Sequence, residues 1–200
     1  MRPSMKSTII NEHNLLRSSV ASGKLDGFSS ASRMSSLAWN DELQSVATSN
    51  ARRCQFEHDA CRNTRVFRFS GQNLAMRSLQ GRRIRVRLRK LLREFVQVWF
   101  DEHQHANQSM IDAYPEDHSG PDVGHFTQMV SDRTWAVGCG MTRFTDREAT
   151  HYYLVCNYSF ANIVHQPVYV KGKPCSRCQR KCSRKYPGLC GDGEKISSTP

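Results

Sequence analysis

The heptapeptide Gly124-His125-Phe126-Thr127-Gln128-Met129-Val130 places one histidine among residues that otherwise suit a buried segment with two packed faces. Two apolar runs follow it along the chain, and each contains a cysteine, Cys139 in the first and Cys156 in the second. Both runs are typical of β-strands, and the polar residues between them predict a hairpin turn. This part of the chain therefore combines a candidate site at His125 with a pair of strands that a disulfide can join.

The length and the cysteine content limit the class of protein. A chain of 200 residues suits one domain with a small appendage. It contains no run of 18 or more apolar residues, so no transmembrane helix is predicted. The eight cysteines, four of them clustered near the C-terminus, favour disulfides and an oxidising compartment. The start, Met1-Arg2-Pro3-Ser4, lacks the apolar segment of a signal peptide, so we interpret the sequence as a mature secreted chain.

The charge indicates the kind of partner. The formal net charge is +11, which fits acidic glycans or anionic lipid head groups. Nucleic acid is not expected, because an extracellular chain rarely meets it and no nucleic-acid-binding motif is present. Two N-glycosylation acceptor patterns begin at Asn107 and Asn157 and agree with secretion.

Two helices are predicted in the first quarter of the chain. Apolar side chains recur at helical spacing over 7–20, where Ser7 or Thr8 is the candidate cap. A second helix is expected from residue 40 or 41 to about Cys54, because its apolar residues follow the same period.

A third helix is predicted from Gly81 to Trp99, after an extended segment or short strand over 66–75. The alternation of arginine and apolar residues over 83–89 is also compatible with a strand, but the helical spacing continues to Trp99 and favours a helix. The polar residues over 106–123 predict a long loop, and loops of this length inside a domain are often functional.

Six motifs, taken in order, resemble those of the CAP superfamily of cysteine-rich secretory, insect antigen 5 and plant pathogenesis-related 1 proteins. The resemblance runs from about Ile9 to Cys190, and the tail is similar to the hinge of worm and vertebrate members. Within the family, the venom-allergen-like proteins of parasitic worms, schistosomes especially, look most similar. The motifs are His13-Asn14 with Arg17, Leu37-Ala38-Trp39, Gly71-Gln72-Asn73-Leu74-Ala75, Trp99-Phe100-Asp101-Glu102, Gly124 to Gln128, and Cys156-Asn157-Tyr158.

The resemblance implies an α+β fold, namely a three-layer α-β-α sandwich with a small antiparallel sheet and a disulfide-stapled C-terminal hinge. We expect a CAP domain over 1–166 and a cysteine-rich hinge with a polar tail over 167–200. The resemblance also implies a central cleft of two histidines and two acids, which in some members holds a divalent metal. Members are further known as binders of sterols, fatty acids and other lipids.

Four disulfides are expected in a secreted chain of this kind. Cys139–Cys156 would join the two strands, and Cys54–Cys61 would bridge a tight loop. The four cysteines of the tail have a spacing that zinc could also use. We favour Cys175–Cys182 with Cys178–Cys190, which would staple a segment too small for its own core, although spacing does not determine connectivity.

The resemblance places His58, Gln72, Glu102 and His125 in the cleft. Two imidazoles and a carboxylate form a reasonable zinc set that leaves one position for water. The family pattern has Glu where this chain has Gln72, and an amide carries no formal charge and is no base at neutral pH. We therefore expect only weak binding of zinc or another divalent cation, and no required cofactor. The alternative is that His58, Glu102 and His125 form a hydrogen-bonded polar cluster.

No catalytic site is predicted. The chain lacks a Gly-x-Ser-x-Gly elbow and a His-Glu-x-x-His helix, and every cysteine has a plausible disulfide partner. A metal-dependent hydrolase with His58 and His125 as ligands and Glu102 as general base can be drawn. Gln72 argues against it, because the substitution removes one of the acids such an enzyme would use.

The resemblance favours a secreted, non-enzymatic lipid-binding protein used in host interaction. A fatty acid would lie in an apolar channel between the first helix and a neighbouring helix, with Arg17 or a residue of 82–93 pairing with its carboxylate. The alternative is that the same side chains form the core. The channel residues would be Ile9, Leu15, Leu16, Val20, Leu88, Leu91, Leu92 and Phe95. A sterol would use the loop over 106–123, with Met110, Ile111 and Tyr114.

One segment is unusually basic. Seven cationic residues occur in it without an intervening acid, and such a run is usually a solvated face of a helix. The functional alternative is docking onto heparan-type glycans, anionic membrane or host proteins, which salt would weaken. The seven residues are Arg82, Arg83, Arg85, Arg87, Arg89, Lys90 and Arg93.

Overall fold

The structure, a computed structural model, describes residues 1–117, 119–191 and 193–195. Helices and strands alternate as far as the third helix, which is followed by a short 3₁₀ turn, two further helices and then two strands. The elements are α1 (Pro3–Ala21), β1 (Ala38–Trp39), α2 (Asp41–Arg52), β2 (Gly71–Gln80), α3 (Leu88–Asp101), the 3₁₀ turn (Glu102–His105), α4 (Gln108–Asp112), α5 (Gly124–Val130), β3 (Ala136–Thr145) and β4 (Ala149–Tyr158).

The four strands form one sheet in the order β1-β3-β4-β2. The pairs β3–β4 and β2–β4 are antiparallel, and the two-residue strand β1 runs parallel to β3. Cys139 lies directly opposite Cys156, and the two form a disulfide. The predicted hairpin and its cross-strand disulfide are therefore confirmed.

Helices cover both faces of the sheet. Tyr153 and Val155 of β4 pack against Ala47 and Ala51 of α2 on one face. The alternate residues of β4 belong to the larger core cluster with α1, α3 and α5 on the other face. Strand side chains point to opposite faces in alternation, so burial of both sets confirms the three-layer α-β-α sandwich.

Two glycines of β3 let α2 lie directly on the sheet. A Cβ atom at Gly140 would stand 2.4 Å from Thr48 Cα, and one at Gly138 would stand 2.2 Å from Gln44 N. Any larger residue would push the helix backbone away, so this close approach fixes the distance between the second layer and the sheet.

Helix α1 begins four residues earlier than predicted, at Pro3, with Arg2 at the N-cap. Proline suits the first turn because its missing N–H has no partner to lose there. The predicted caps Ser7 and Thr8 instead donate hydrogen bonds to the Pro3 and Ser4 carbonyls inside the helix. The start of α2 is confirmed, because the Asn40 side chain accepts a hydrogen bond from Leu43 N.

Helix α3 begins at Leu88, so the prediction that it opens at Gly81 is wrong. The segment before it docks on β4. Ile84 N donates to Thr150 Oγ1 at 3.1 Å, and Tyr152 Oη donates to Ile84 O at 2.7 Å. These bonds hold the backbone of Ile84 outside the helix. The loop over 106–123 also differs from its prediction, because it contains α4.

The C-terminal hinge has the favoured connectivity, Cys175–Cys182 and Cys178–Cys190. It is not a separate unit, because Tyr169, Tyr186 and Leu189 are buried in the main core cluster. Ser18 Oγ of α1 donates to the Pro187 carbonyl at 2.5 Å. Residues 192 and 196–200 of the predicted polar tail lie outside the described residues.

The predicted disulfide Cys54–Cys61 is wrong, because both residues are free thiols. Cys54 follows α2 with a φ of 58°, in the left-handed region. Its Sγ lies 3.6 Å from the Arg52 carbonyl oxygen. The backbone therefore turns this thiol back towards the end of α2, while Cys61 is exposed.

Candidate functional site

The predicted cleft exists as an open cavity of about 340 Å³. His58 comes from the loop after α2, Gln72 from the start of β2, and His125 from the first turn of α5. All three line the cavity, whereas Glu102 lies behind His125. The fold therefore brings together the four side chains that the resemblance placed in the cleft.

The carboxylate of Glu102 is used to orient His125. Its Oε1 contacts His125 Nδ1, and its Oε2 accepts hydrogen bonds from the backbone N–H groups of His125 at 2.8 Å and Phe126 at 3.1 Å. The Trp99 ring stacks on the imidazole at 6.1 Å between centroids. With Nδ1 engaged in this way, Nε2 is the nitrogen of His125 left for a ligand.

Gln72 holds His58 in the same manner. His58 Nδ1 donates to Gln72 Oε1 at 2.7 Å, because an amide oxygen can only accept. Gln72 Nε2 in turn donates to Asn157 Oδ1 at 2.8 Å and to Asp59 Oδ1 at 3.1 Å. Both polar ends of the amide are thus satisfied, and the Nε2 lone pair of His58 remains available.

This arrangement suits a metal only in part. A ligating imidazole usually has its other nitrogen bonded to an oxygen, and His58 and His125 both meet that condition. However, the described part of the chain contains no group of three or more His, Cys, Asp or Glu side chains that could surround one ion. Glu102 and Gln72 therefore act as orienting groups, and the cleft offers two imidazole ligands.

Buried polar side chains that the sequence did not predict form hydrogen bonds next to the cleft. His13 Nδ1 donates to the Ile9 carbonyl at 2.8 Å, so its Nε2 accepts from Tyr158 Oη at 2.9 Å. Asn73 Nδ2 donates both to Tyr158 Oη and to the His125 carbonyl. Burial lowers the pKa of His13 to about 4 and raises that of Tyr158, so both groups are neutral near pH 7.

Arg17 lies in the core and not at the mouth of a channel, which corrects one prediction. Its guanidinium donates to the carbonyls of Ser35, Met129, Ser131 and Thr134 at 2.6–3.3 Å. Burial lowers its pKa to about 9, so the group stays charged at neutral pH. Its role is to tie α1 to the segments around α5, and it is unavailable to a lipid carboxylate.

Most of the predicted channel residues form the packed interface between α1 and α3. Five of them are at most 5% exposed within the main core cluster: Ile9, Val20, Leu91, Leu92 and Phe95. Leu15 is 48% exposed, and Leu16 and Leu88 are partly buried. The core alternative therefore describes the middle of this interface.

A cavity opens instead at the end of that interface, where α1 and α3 begin. Its volume is about 480 Å³. Leu88 is the member of the predicted channel set that lines it. The apolar lining consists of Met5, Val86, Leu88, Met141 and Tyr152.

The predicted sterol loop is held against the segment over 163–168. Val168 N donates to the Ile111 carbonyl at 2.8 Å, and Tyr114 N donates to the Gln166 carbonyl at 2.9 Å. Ile111 is fully buried, so it belongs to the core and cannot present itself to a sterol. Tyr114 lines the His58–His125 cleft, and Met110 is half-buried.

The two glycosylation patterns differ in access. Asn157 lies in β4 and is fully buried, with its Oδ1 bonded to Gln72. A glycan cannot be attached there in the folded protein, so that prediction is wrong. Asn107 is exposed and caps α4 through its Oδ1, so its side-chain nitrogen takes no part in the cap.

Ser78, His151 and Asp146 form a series of hydrogen bonds that the sequence did not predict. Ser78 Oγ donates to His151 Nδ1 and His151 Nε2 contacts Asp146 Oδ2, each at 2.8 Å. Backbone hydrogen bonds from Ala149 and Glu148, then His151, lower the pKa of Asp146 to about 2. Ser78 faces His151 across the β2–β4 pair, and both Ser78 and Asp146 are exposed. These hydrogen bonds therefore hold the hairpin turn at an exposed position on the surface.

Comparisons with known proteins agree with this geometry. Residues 10–158 match the CAP family, described as the cysteine-rich secretory protein family. Venom allergen-1 of Aedes aegypti is 46% identical over 194 residues, which cover 97% of this chain and 75% of that protein.

Solved structures of the same kind superpose on nearly the whole chain. The crystal structure of NaASP2 with Zn²⁺ has a TM-score of 0.78 at 27% identity and covers 96% of this chain and 97% of that one. Venom allergen-like protein 4 of Schistosoma mansoni shares the fold, with a TM-score of 0.66 at 23% identity over 88% of this chain and all of that one. No helix among the described residues is long and apolar enough to cross a membrane. The chain belongs to the CAP family of cysteine-rich secretory proteins.

Proposed function

We propose that this chain is a secreted, non-enzymatic protein that binds an anionic single-chain lipid, such as a fatty acid, in host interaction. The observation that carries the proposal is the 480 Å³ cavity at the start of α1 and α3. Its volume lies within the roughly 300–1,000 Å³ of small-molecule sites. Apolar side chains form most of its surface, which suits an acyl chain.

The charged part of the lining matches the head group. Arg2, Arg85 and Arg143 border the same cavity, and each is exposed. A guanidinium pairs with a carboxylate through two parallel hydrogen bonds, which fixes orientation as well as charge. Each buried methylene of the chain would contribute about 0.8 kcal/mol, so the acyl chain supplies affinity and the arginines select the acid.

The location differs from the channel predicted between the two helices. Leu92 and Phe95 fill the middle of the α1–α3 interface, so an acyl chain there would have to displace core side chains. The cavity needs no such displacement. We therefore place the lipid at the N-terminal ends of the helices.

Titration of delipidated protein with a fluorescent fatty acid, followed by competition with palmitate, tests the proposal. Val86→Trp fills the cavity and is expected to weaken binding at least tenfold. Val98→Trp is the matched control, because Val98 is 62% exposed on α3 outside the cavity. A preference for the acid over the fatty alcohol, lost in Arg85→Gln, supports the head-group assignment. Equal binding by the two Trp variants, or none by the wild type, would refute the proposal.

We further propose that the cleft binds divalent cations weakly through His58 and His125. Two oriented imidazoles support some affinity, and the related NaASP2 was crystallised with Zn²⁺. The absence of charge on Gln72 argues against a tight site. Calorimetric zinc titration of wild type and of a His58→Ala, His125→Ala variant tests this, and identical heats would contradict it.

A further inference from the structure

A cationic groove adjoins the cavity proposed for the lipid and supports a second binding function. It has a volume of about 730 Å³ and is formed by the first turn of α1 and the first two turns of α3. Five of its lining residues are cationic and none is acidic. These five are Arg2, Arg87, Arg89, Lys90 and Arg93.

Most of this charge is not neutralised within the protein. Arg93 Nε pairs with Glu12 at 2.8 Å, and Lys90 Nζ lies 3.8 Å from Glu94. Arg2, Arg87 and Arg89 form no ion pair with any residue that the structure describes. Like charges held together without counter-charges repel one another, and a polyanion in the groove would relieve that repulsion.

The N-termini of α1 and α3 add to the positive electrostatic potential of the groove. Arg2 is the N-cap of α1 and Arg87 the N-cap of α3, and neither side chain accepts a capping hydrogen bond. Neither first turn contains an acidic residue. Helix N-termini carry partial positive charge and are normally stabilised by acids. Here arginines occupy those places, which costs stability and reinforces the positive potential of the groove.

From this arrangement we propose that the groove formed by Arg2, Arg87, Arg89, Lys90 and Arg93 docks a linear sulfated glycan. Sulfates that repeat along a glycan chain can pair with cations that lie one helical turn apart. Arg89 and Arg93 are one turn apart, about 6 Å along the axis of α3. Arginine forks bind oxyanions through paired N–H groups.

The groove suits a glycan better than an anionic membrane. It is concave, and no aromatic residue occurs between Arg82 and Glu94 to enter a bilayer interface. The apolar residues Val86 and Leu88 are half-buried, Val86 lines the adjoining cavity, and Leu88 lies where the cavity and the groove meet. Binding would therefore depend on sulfate charge and not on insertion of apolar side chains.

The test measures binding of heparin oligosaccharide to the purified chain by calorimetry at several salt concentrations. If all five cations engage, affinity should fall more than about 100-fold between 50 and 200 mM salt, by analogy with counterion release from nucleic acids. Arg87→Gln with Arg89→Gln should weaken binding at least tenfold. The matched control is Arg65→Gln with Arg68→Gln, which removes the same charge from exposed positions outside the groove.

Three outcomes overturn the proposal. Equal loss in the two double variants would mean that net charge alone attracts heparin. Equal affinity for de-sulfated heparin would remove the sulfate preference. Binding to phosphatidylserine vesicles that depends on Arg87 and Arg89, without heparin binding, would assign the groove to membranes.

A second variant separates docking from folding. Arg87→Asp places a favourable N-cap on α3, so it should raise the Tm by about 2–4 °C while weakening heparin binding at least tenfold. Loss of both stability and binding would contradict the assignment.

Fatty-acid titration distinguishes this site from the cavity, because Val86→Trp should bind heparin normally and the Arg87, Arg89 variant should still bind the fatty acid.

Discussion

Gln72 Nε2 donates a hydrogen bond of 2.8 Å to the side-chain oxygen of Asn157. The same amide accepts a hydrogen bond from His58. A carboxylate at this position could accept a hydrogen bond from His58 but could not donate one to Asn157. The amide therefore lacks the negative charge of a glutamate but makes a hydrogen bond that a glutamate could not make. This relationship also explains why Asn157 is inaccessible to a glycan although its sequence matches an acceptor pattern.

Gln72→Glu should strengthen zinc binding about tenfold or more. The carboxylate would add a negative charge to the cleft and would orient His58 as Glu102 orients His125, and changes in such orienting groups alter metal affinity by roughly 10–100-fold. Calorimetric titration with zinc measures the effect. Gln80→Glu is the control, because Gln80 is exposed at the other end of β2 and should leave the affinity unchanged. Equal affinity in wild type and Gln72→Glu would rule out the charge argument.

The buried imidazole of His13 should make stability depend on pH. Burial lowers its pKa from 6.5 to about 4 in the folded chain. Between these values the unfolded chain binds a proton that the folded chain does not, so stability is lost as pH falls from 6.5 towards 4. The loss attributable to His13 is about 2 kcal/mol at pH 5.

Asp132 has the opposite dependence and must be separated from His13. Burial raises its pKa to about 6, so its contribution to stability is present at low pH and is lost as pH rises from 3.8 through 6. Urea unfolding of wild type and His13→Gln at pH 7 and pH 5 isolates the histidine. The free energy of unfolding of wild type should exceed that of His13→Gln by about 2 kcal/mol less at pH 5 than at pH 7. Asp132→Asn keeps the histidine, so the difference between wild type and Asp132→Asn should not shrink in this way. A constant advantage across this range would contradict the assignment.

The hairpin could be predicted because its determinants are local in sequence, whereas the cleft was predicted from the resemblance of its motifs to those of the CAP family. The two strand-like runs contain Cys139 and Cys156, and the motifs around Gln72 and His125 lie at the strand and helix starts that form the cleft. The hydrogen bonds that link His13, Tyr158 and Asn73 could not be predicted, because they depend on the register of β2 against β4. Sequence periodicity could only assign His13 to an apolar face.

The start of α3 shows why an amphipathic pattern can mislead. Alternating arginine and apolar residues over 83–89 are compatible with a helix, a strand or a docked extended segment. Residues distant in sequence select the docked extended segment, because Thr150 and Tyr152 form hydrogen bonds with the backbone of Ile84. The prediction of a Cys54–Cys61 disulfide was wrong for a related reason, since the spacing of the two cysteines does not reveal the left-handed backbone at Cys54.

Gly140→Ala should destabilise the fold by more than about 3 kcal/mol, at or beyond the upper end of overpacking in a core. The added Cβ would lie 2.4 Å from Thr48 Cα and 2.7 Å from Ala47 C, and both are backbone atoms of α2 that cannot move alone. The whole helix would have to shift away from β3. Urea unfolding followed by circular dichroism measures the change. Gly124→Ala is the matched control, because the nearest atom to its Cβ is the Tyr114 hydroxyl at 4.0 Å, and it should cost less than about 1 kcal/mol. If both variants lose the same stability, contact between α2 and β3 does not set the spacing of these layers.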